Sequence, residues 1–258
     1  MLILLPPSEG KTPPAGGAPV DLSRLTAPQL AAARERVLGT LMEVSARPDA
    51  LEVLGVGAGV RADVARNTRL TAEPAARSAE VYTGVLYAAA QLDGLEPAGA
   101  AGAARSVRIV SALWGLLSPA DLIPAYRLSM STALPGTGRL STYWRRHLGA
   151  ELDERARGDV VVDCRSAAYT AAWRPPADAE HLTVRVVRDD GGRRQVVSHH
   201  AKHARGLLTR HLLTAGGTPT TGEEVAEVAR TMPTDEVRGV ELAPSARPGR
   251  PRVLTLVV

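Results

Sequence analysis

Short apolar runs alternate with longer segments of helical periodicity along these 258 residues, and this alternation constrains the fold more than any other feature. The runs at 2–5, 107–113, 160–164, 182–187, 195–198 and 253–258 are bounded by turn residues and read as buried strands. Helical patterns occupy 27–45, 60–68, 81–92, 141–157, 200–213 and 223–231. Ser141 is placed to cap one helix, and Gly216-Gly217 to stop another. The turn Asp189-Asp190-Gly191-Gly192 predicts a hairpin between its flanking strands. Interleaving of this kind predicts a mixed α/β fold, with a central mixed sheet and flanking helices. The Pro-rich stretch 13–19 lies too near the start to divide domains. The basic, Pro-rich 243–251 is followed by an apolar run that returns to the sheet. One compact domain over 1–258 is expected.

Hydrophobic residues make up 45% and charged residues 22%, a balance that buries a core in a soluble chain. With 3% aromatics and no Phe, that core must be built from Leu, Val and Ala. No segment approaches the roughly 20 apolar residues needed to span a bilayer. The apolar start has no basic n-region and meets Pro6-Pro7 at once, so it reads as a strand and not as a signal peptide. A single Cys164 excludes an intramolecular disulfide framework. A cytoplasmic protein with no membrane partner is expected.

Net charge +4 permits a polyanionic partner without requiring one. Within the 31 basic residues only Lys11 and Lys202 are lysines, leaving 29 arginines. The two lysines mark places where a compact ammonium of adjustable pKa matters more than a planar guanidinium.

Gly10-Lys11-Thr12 follows a strand and invites comparison with a P-loop. The required upstream glycine is replaced by Leu5, and Pro13-Pro14 stand where the phosphate-binding helix would begin. What remains is a loop presenting Ser8, Glu9 and Lys11 at a sheet end. Gly55-Val56-Gly57-Ala58-Gly59, flanked by apolar residues and followed by Arg61, resembles a helix-hairpin-helix, whose backbone N–H groups contact DNA phosphates without reading sequence. Arg66 and Arg69 add nearby cations. The segment 199–211 carries Lys202, Arg205, Arg210 and four of the six histidines, with no acid. His199 and His203 have metal-ligand spacing, but cationic neighbours and the lack of carboxylates oppose a metal, so neither metal nor cofactor is expected. Arg165-Ser166 follows a strand as Lys11 and Lys202 do, which suggests one shared cleft. Tyr126-Arg127 sits in a Pro-bounded loop, and Tyr169 follows Ser166 closely.

Taken in order, Leu-Pro-Pro-Ser-Glu-Gly-Lys at 5–11, Val81-Tyr82-Thr83-Gly84, Leu113-Trp114-Gly115-Leu116-Leu117 with Tyr126-Arg127, Tyr143-Trp144, Asp163-Cys164-Arg165-Ser166 with Tyr169, and Ala201-Lys202-His203-Ala204-Arg205-Gly206 resemble the YaaA peroxide-stress family. The resemblance runs from residue 2 to about residue 213. It implies a compact mixed α/β fold of its own type, a positively charged cleft and a helix-hairpin-helix. It also implies binding of duplex or branched DNA and a role in peroxide survival. Carried onto this chain, it places the hairpin at 54–62 and the cleft cations at Lys11, Arg127, Lys202 and Arg205; the residues themselves add Gly55, Gly57, Arg61, Arg66 and Arg69 as expected DNA contacts, and Ser8 and Arg165 as expected anion-binding groups. The residues also support a different reading, an enzyme acting on a small anionic or nucleobase-type ligand. Lys202 or Lys11 would then be base or Schiff-base nucleophile, with Ser166, Tyr126 and Tyr169 positioning the ligand.

Overall fold

A computed structural model describes residues 1–190, 193–196, 198–244 and 249–258. Its centre is an eight-stranded mixed sheet. The strands are β1 (Leu2–Leu5), β2 (Val107–Ser111), β3 (Gly115–Leu117), β4 (Val160–Asp163), β5 (Glu180–Asp190), β6 (Arg193–Val196), β7 (Gly239–Leu242) and β8 (Arg252–Val257). Their order is β7-β8-β5-β4-β1-β2-β3, with β6 paired to β5. β2, β1, β4, β5 and β8 run parallel to their neighbours, while β3, β6 and β7 add antiparallel pairs.

The strand residues explain this order. Every residue of β1 and of β4 is buried, as expected for parallel strands covered on both faces. β7 is only partly buried and lies at one edge. Pro6-Pro7 end β1, because proline has no N–H to give the ladder. Parallel neighbours need long crossovers, and the helices supply them. These are α1 (Ala31–Ser45), α2 (Ala50–Leu54), α3 (Arg61–Asn67), α4 (Ser78–Val81), α5 (Val85–Ala90), α6 (Pro97–Ser106), α7 (Leu140–Ala156), α8 (Ala167–Thr170), α9 (Ser198–Thr214) and α10 (Gly222–Arg230). One apolar core runs from Met1 through to Leu256, consistent with a single compact unit.

The sequence expectations need local correction. The helical pattern at 81–92 is broken into α4 and α5 by Tyr82-Thr83-Gly84. Ser141 lies inside α7 and is buried; Arg139 precedes the helix and gives no side-chain cap. Ser198 belongs to α9 and not to the preceding strand. β5 and β6 do pair antiparallel; Gly191 and Gly192 of the expected turn lie outside the described residues. The Ala/Gly-rich α6 and the short strands β3 and β7 had no sequence expectation.

β1 is also where the order of connections reverses, since β2 lies on one side of it and β4 on the other. Open α/β sheets bind ligands in the crevice at the carboxyl ends of strands around such a point. The loops after β1, β2 and β4 meet there.

Candidate functional site

The loop after β1 is fastened by backbone pairing to the break between α4 and α5. Thr12 N–H donates to the Val81 carbonyl at 3.0 Å and Thr83 N–H to Gly10 at 3.2 Å, around a Lys11–Tyr82 bridge. A Cβ at Gly84 would run into the Ser8 hydroxyl, which would have to swing away. This pairing fixes Lys11, whose Nζ donates to the Ser8 carbonyl at 2.6 Å and the Glu9 carbonyl at 3.4 Å. The ammonium also lies 4.3 Å from the centre of the Tyr126 ring and 5.6 Å from that of Tyr82.

Behind Lys11 the tyrosines form a buried hydroxyl cluster. Tyr126 Oη lies 2.9 Å from Tyr82 Oη and 2.8 Å from Ser111 Oγ. Ser111 ends β2 and accepts the N–H groups of Leu113 and Trp114 at 3.2 and 3.0 Å. Burial raises the Tyr126 hydroxyl to about 12, so it stays protonated near neutrality. Burial, reinforced by the neighbouring Arg127 charge, lowers Lys11 to about 7, with Glu9 and Asp63 opposing. A lysine amine so perturbed is half neutral at pH 7.

Arg127 is held from both sides. Its N–H donates to Asn67 Oδ1 at 2.9 Å, and Asn67 Nδ2 donates to the Arg127 carbonyl at 2.9 Å. Its guanidinium reaches the Glu9 carbonyl at 3.3 Å and carboxylate at 3.4 Å. Lys11 and Arg127 line an open cavity of about 630 Å³ with Ser129, Ser131, Thr132 and the Gly55–Gly59 turn. That turn leaves α2 with Gly55 in the left-handed region (φ +65°), which suits glycine, and passes into α3.

A smaller cavity of about 250 Å³ adjoins it, lined by Ser166, Lys202, Arg205, Cys164, Tyr87 and Gly84 among others. Ser8, Glu9 and Tyr169 line both. The expected cleft is therefore divided: Lys11 and Arg127 face the larger chamber, Ser166, Lys202 and Arg205 the smaller, and Tyr169 the partition. Arg205 Nη2 donates to the Val184 carbonyl at 2.7 Å, while its buried Nε has no partner among the described residues. Lys202 and Ser166 are exposed.

Arg165 lines neither chamber. It is buried in a two-point pair with Asp163 (2.8 and 2.7 Å) that also receives His181 at 3.2 Å. Arg66 pairs with Asp63 at 3.1 Å and Arg69 with Glu73 at 3.0 Å, so their charges are matched locally. Arg61 is exposed at the start of α3. His203 pairs with Glu236 at 3.4 Å, and the His199 side chain lies outside the described residues. Among the described residues no helix is long and apolar enough to cross a membrane.

A profile of the family described as "Peroxide stress protein YaaA" matches residues 1–230. The chain belongs to this family. A UPF0246 protein of Streptomyces coelicolor is 44% identical over all of this chain and 98% of its own length. UPF0246 proteins of Corynebacterium efficiens and Corynebacterium glutamicum are 39% and 35% identical over the full length of both chains. Within the YaaA motifs, Lys11 packs on the rings of Tyr82 and Tyr126, and Gly84 packs against Ser8 of the same loop. Asn67, Ser111 and Tyr87 join this site without having been singled out from the sequence. Ser111, at the end of the run at 107–113, carried a positional signal, because polar groups at strand ends had already marked Lys11 and Ser166. Asn67, inside a helix between ordinary polar neighbours, carried none.

Proposed function

We propose that this YaaA-family protein acts on a small anionic or nucleobase-type ligand in the larger chamber, with Lys11 as base or nucleophile. The observation that supports this most is the environment of Lys11, a half-neutral amine packed on two tyrosine rings and opening into a cavity large enough for such a ligand. As a base, Lys11 would take a proton from the ligand. As a nucleophile it would attack a carbonyl carbon: nitrogen forms the new bond, the carbonyl oxygen takes up protons and leaves as water, and an imine remains, with no change of oxidation state. The Tyr126 and Tyr82 hydroxyls, kept protonated by burial, add no charge behind Lys11. No cofactor is invoked.

DNA binding at the same mouth is supported by a separate observation, the exposed Gly55–Gly59 backbone bordering the chamber next to exposed Arg61. In that reading α2, the turn and α3 serve as a helix-hairpin-helix. Arg66 and Arg69 favour it less than their charge suggests, since both are ion-paired.

Lys11→Arg separates the two, because arginine keeps the charge but does not deprotonate in proteins. A strain complemented with the variant should lose peroxide survival while the purified variant keeps its DNA affinity, and Lys11→Gln should lose survival as well. Full survival with Lys11→Arg overturns the amine chemistry.

A further inference from the structure

The smaller chamber is walled mostly by apolar surface, and the few polar groups on it are ones the Lys11 chemistry does not use. Lys202 and Arg205 lie on one wall and present two cations one helical turn apart on α9. Arg205 spends Nη2 on the Val184 carbonyl, and its buried Nε has no partner among the described residues. The Ser166 hydroxyl is exposed at the start of α8 and caps nothing there. The Gly84 and Gly10 backbone closes the opposite side without side-chain bulk. Glu9 is the acid lining this chamber; its carboxylate points to Arg127 at 3.4 Å, and its side chain is 77% exposed.

We infer that the smaller chamber is the oxyanion subsite of the Lys11 site: the Arg205 guanidinium, Lys202 and Ser166 hold a phosphate or carboxylate of a ligand whose carbonyl end reaches Lys11 past Ser8 and Tyr169. The ligand class is thus a small carbonyl compound carrying an oxyanion. This inference rests on the Lys11 reading and adds the group that orients the ligand toward it. Cations suit a compact oxyanion through charge-assisted hydrogen bonds, and a hydroxyl supplies a further donor.

The chain's two lysines make the test clean. Pyridoxal 5′-phosphate and pyridoxal carry the same aldehyde and differ in the phosphate. Imines formed with each are reduced by borohydride and located by peptide mass spectrometry at Lys11, Lys202 or the N-terminus. The phosphate-bearing probe should trap at Lys11 at about tenfold lower concentration than pyridoxal. Lys202→Gln should bring that ratio down, and Lys202→Gln with Arg205→Gln should bring it close to one, folding being checked by thermal melting. Equal trapping by the two probes, a ratio that survives the double variant, or trapping at Lys202 in preference to Lys11 overturns the oxyanion subsite. Trapping at Lys11 by neither probe overturns the Lys11 reading, and the subsite with it.

Discussion

At Lys11 two effects act in the same direction. Burial withdraws water from the ammonium, and Arg127 adds like charge. Folded Lys11 loses its proton at about 7, whereas an unfolded lysine keeps it to about 10.4. Across that window the unfolded chain holds more protons, so stability rises with pH. Denaturant melts should show the native protein gaining on Lys11→Gln as pH increases from neutrality, by at most about 1.4 kcal/mol per pH unit. A constant difference would mean that Lys11 is not perturbed. Gly84→Ala should push Ser8 and the loop it carries, slowing aldehyde trapping at Lys11 while the melting curve changes little. From the sequence, the scarcity of lysine was enough to single out Lys11 and Lys202 among 29 arginines. It did not distinguish them: both follow apolar runs, but only one packs on tyrosine rings, and that contact arises across residues far apart in the chain.

Among the elements, the break between α4 and α5 matters most for the site. Periodicity alone reads 81–92 as one helix, because Val81, Val85, Ala89 and Leu92 keep helical spacing and Gly84 is a weak breaker by itself. The interruption comes from tertiary pairing with the loop after β1, which no local signal encodes. Strand positions were more legible, since β1 and β4 are continuous apolar runs, and the errors across the sheet are confined to three or fewer terminal residues. The α5–α9 contact sets where Lys202 and Arg205 stand. Gly206 permits it: a Cβ there would overlap the Leu86 carbonyl oxygen, a backbone atom that cannot swing away. Gly206→Ala should cost about 1–3 kcal/mol by overpacking. It should also lower the pyridoxal 5′-phosphate preference, read by urea midpoints and the same trapping assay. An unchanged midpoint would show that the two helices separate freely.

For the whole molecule, the sheet order places the ends of β1, β2 and β4 together, and the buried Asp163–Arg165–His181 group holds the last of them. Burial works against ionisation of Asp163, but the Arg165 charge and hydrogen bonds, with His181, outweigh it and keep the carboxyl below the usual carboxylate range. A carboxyl so depressed stabilises the fold above the unfolded value of about 3.9, and that stability is lost as pH falls through the folded value. Asp163→Asn leaves Arg165 buried without its counter-charge and should cost about 3–5 kcal/mol, measured by chemical denaturation at neutral pH. If the protein also binds DNA, log affinity should fall linearly with log salt, with a slope of about −0.9 per phosphate neutralised. The chemistry proposed for the chamber depends on one quantity, the protonation of Lys11, and reductive ¹³C-methylation with NMR titration reads it directly because the chain has only two lysine resonances to assign. The resonance that disappears in Lys11→Arg should titrate at about 7, and it should move upward in Arg127→Gln. The same resonance titrating near the ordinary lysine value of about 10.4 would contradict the account.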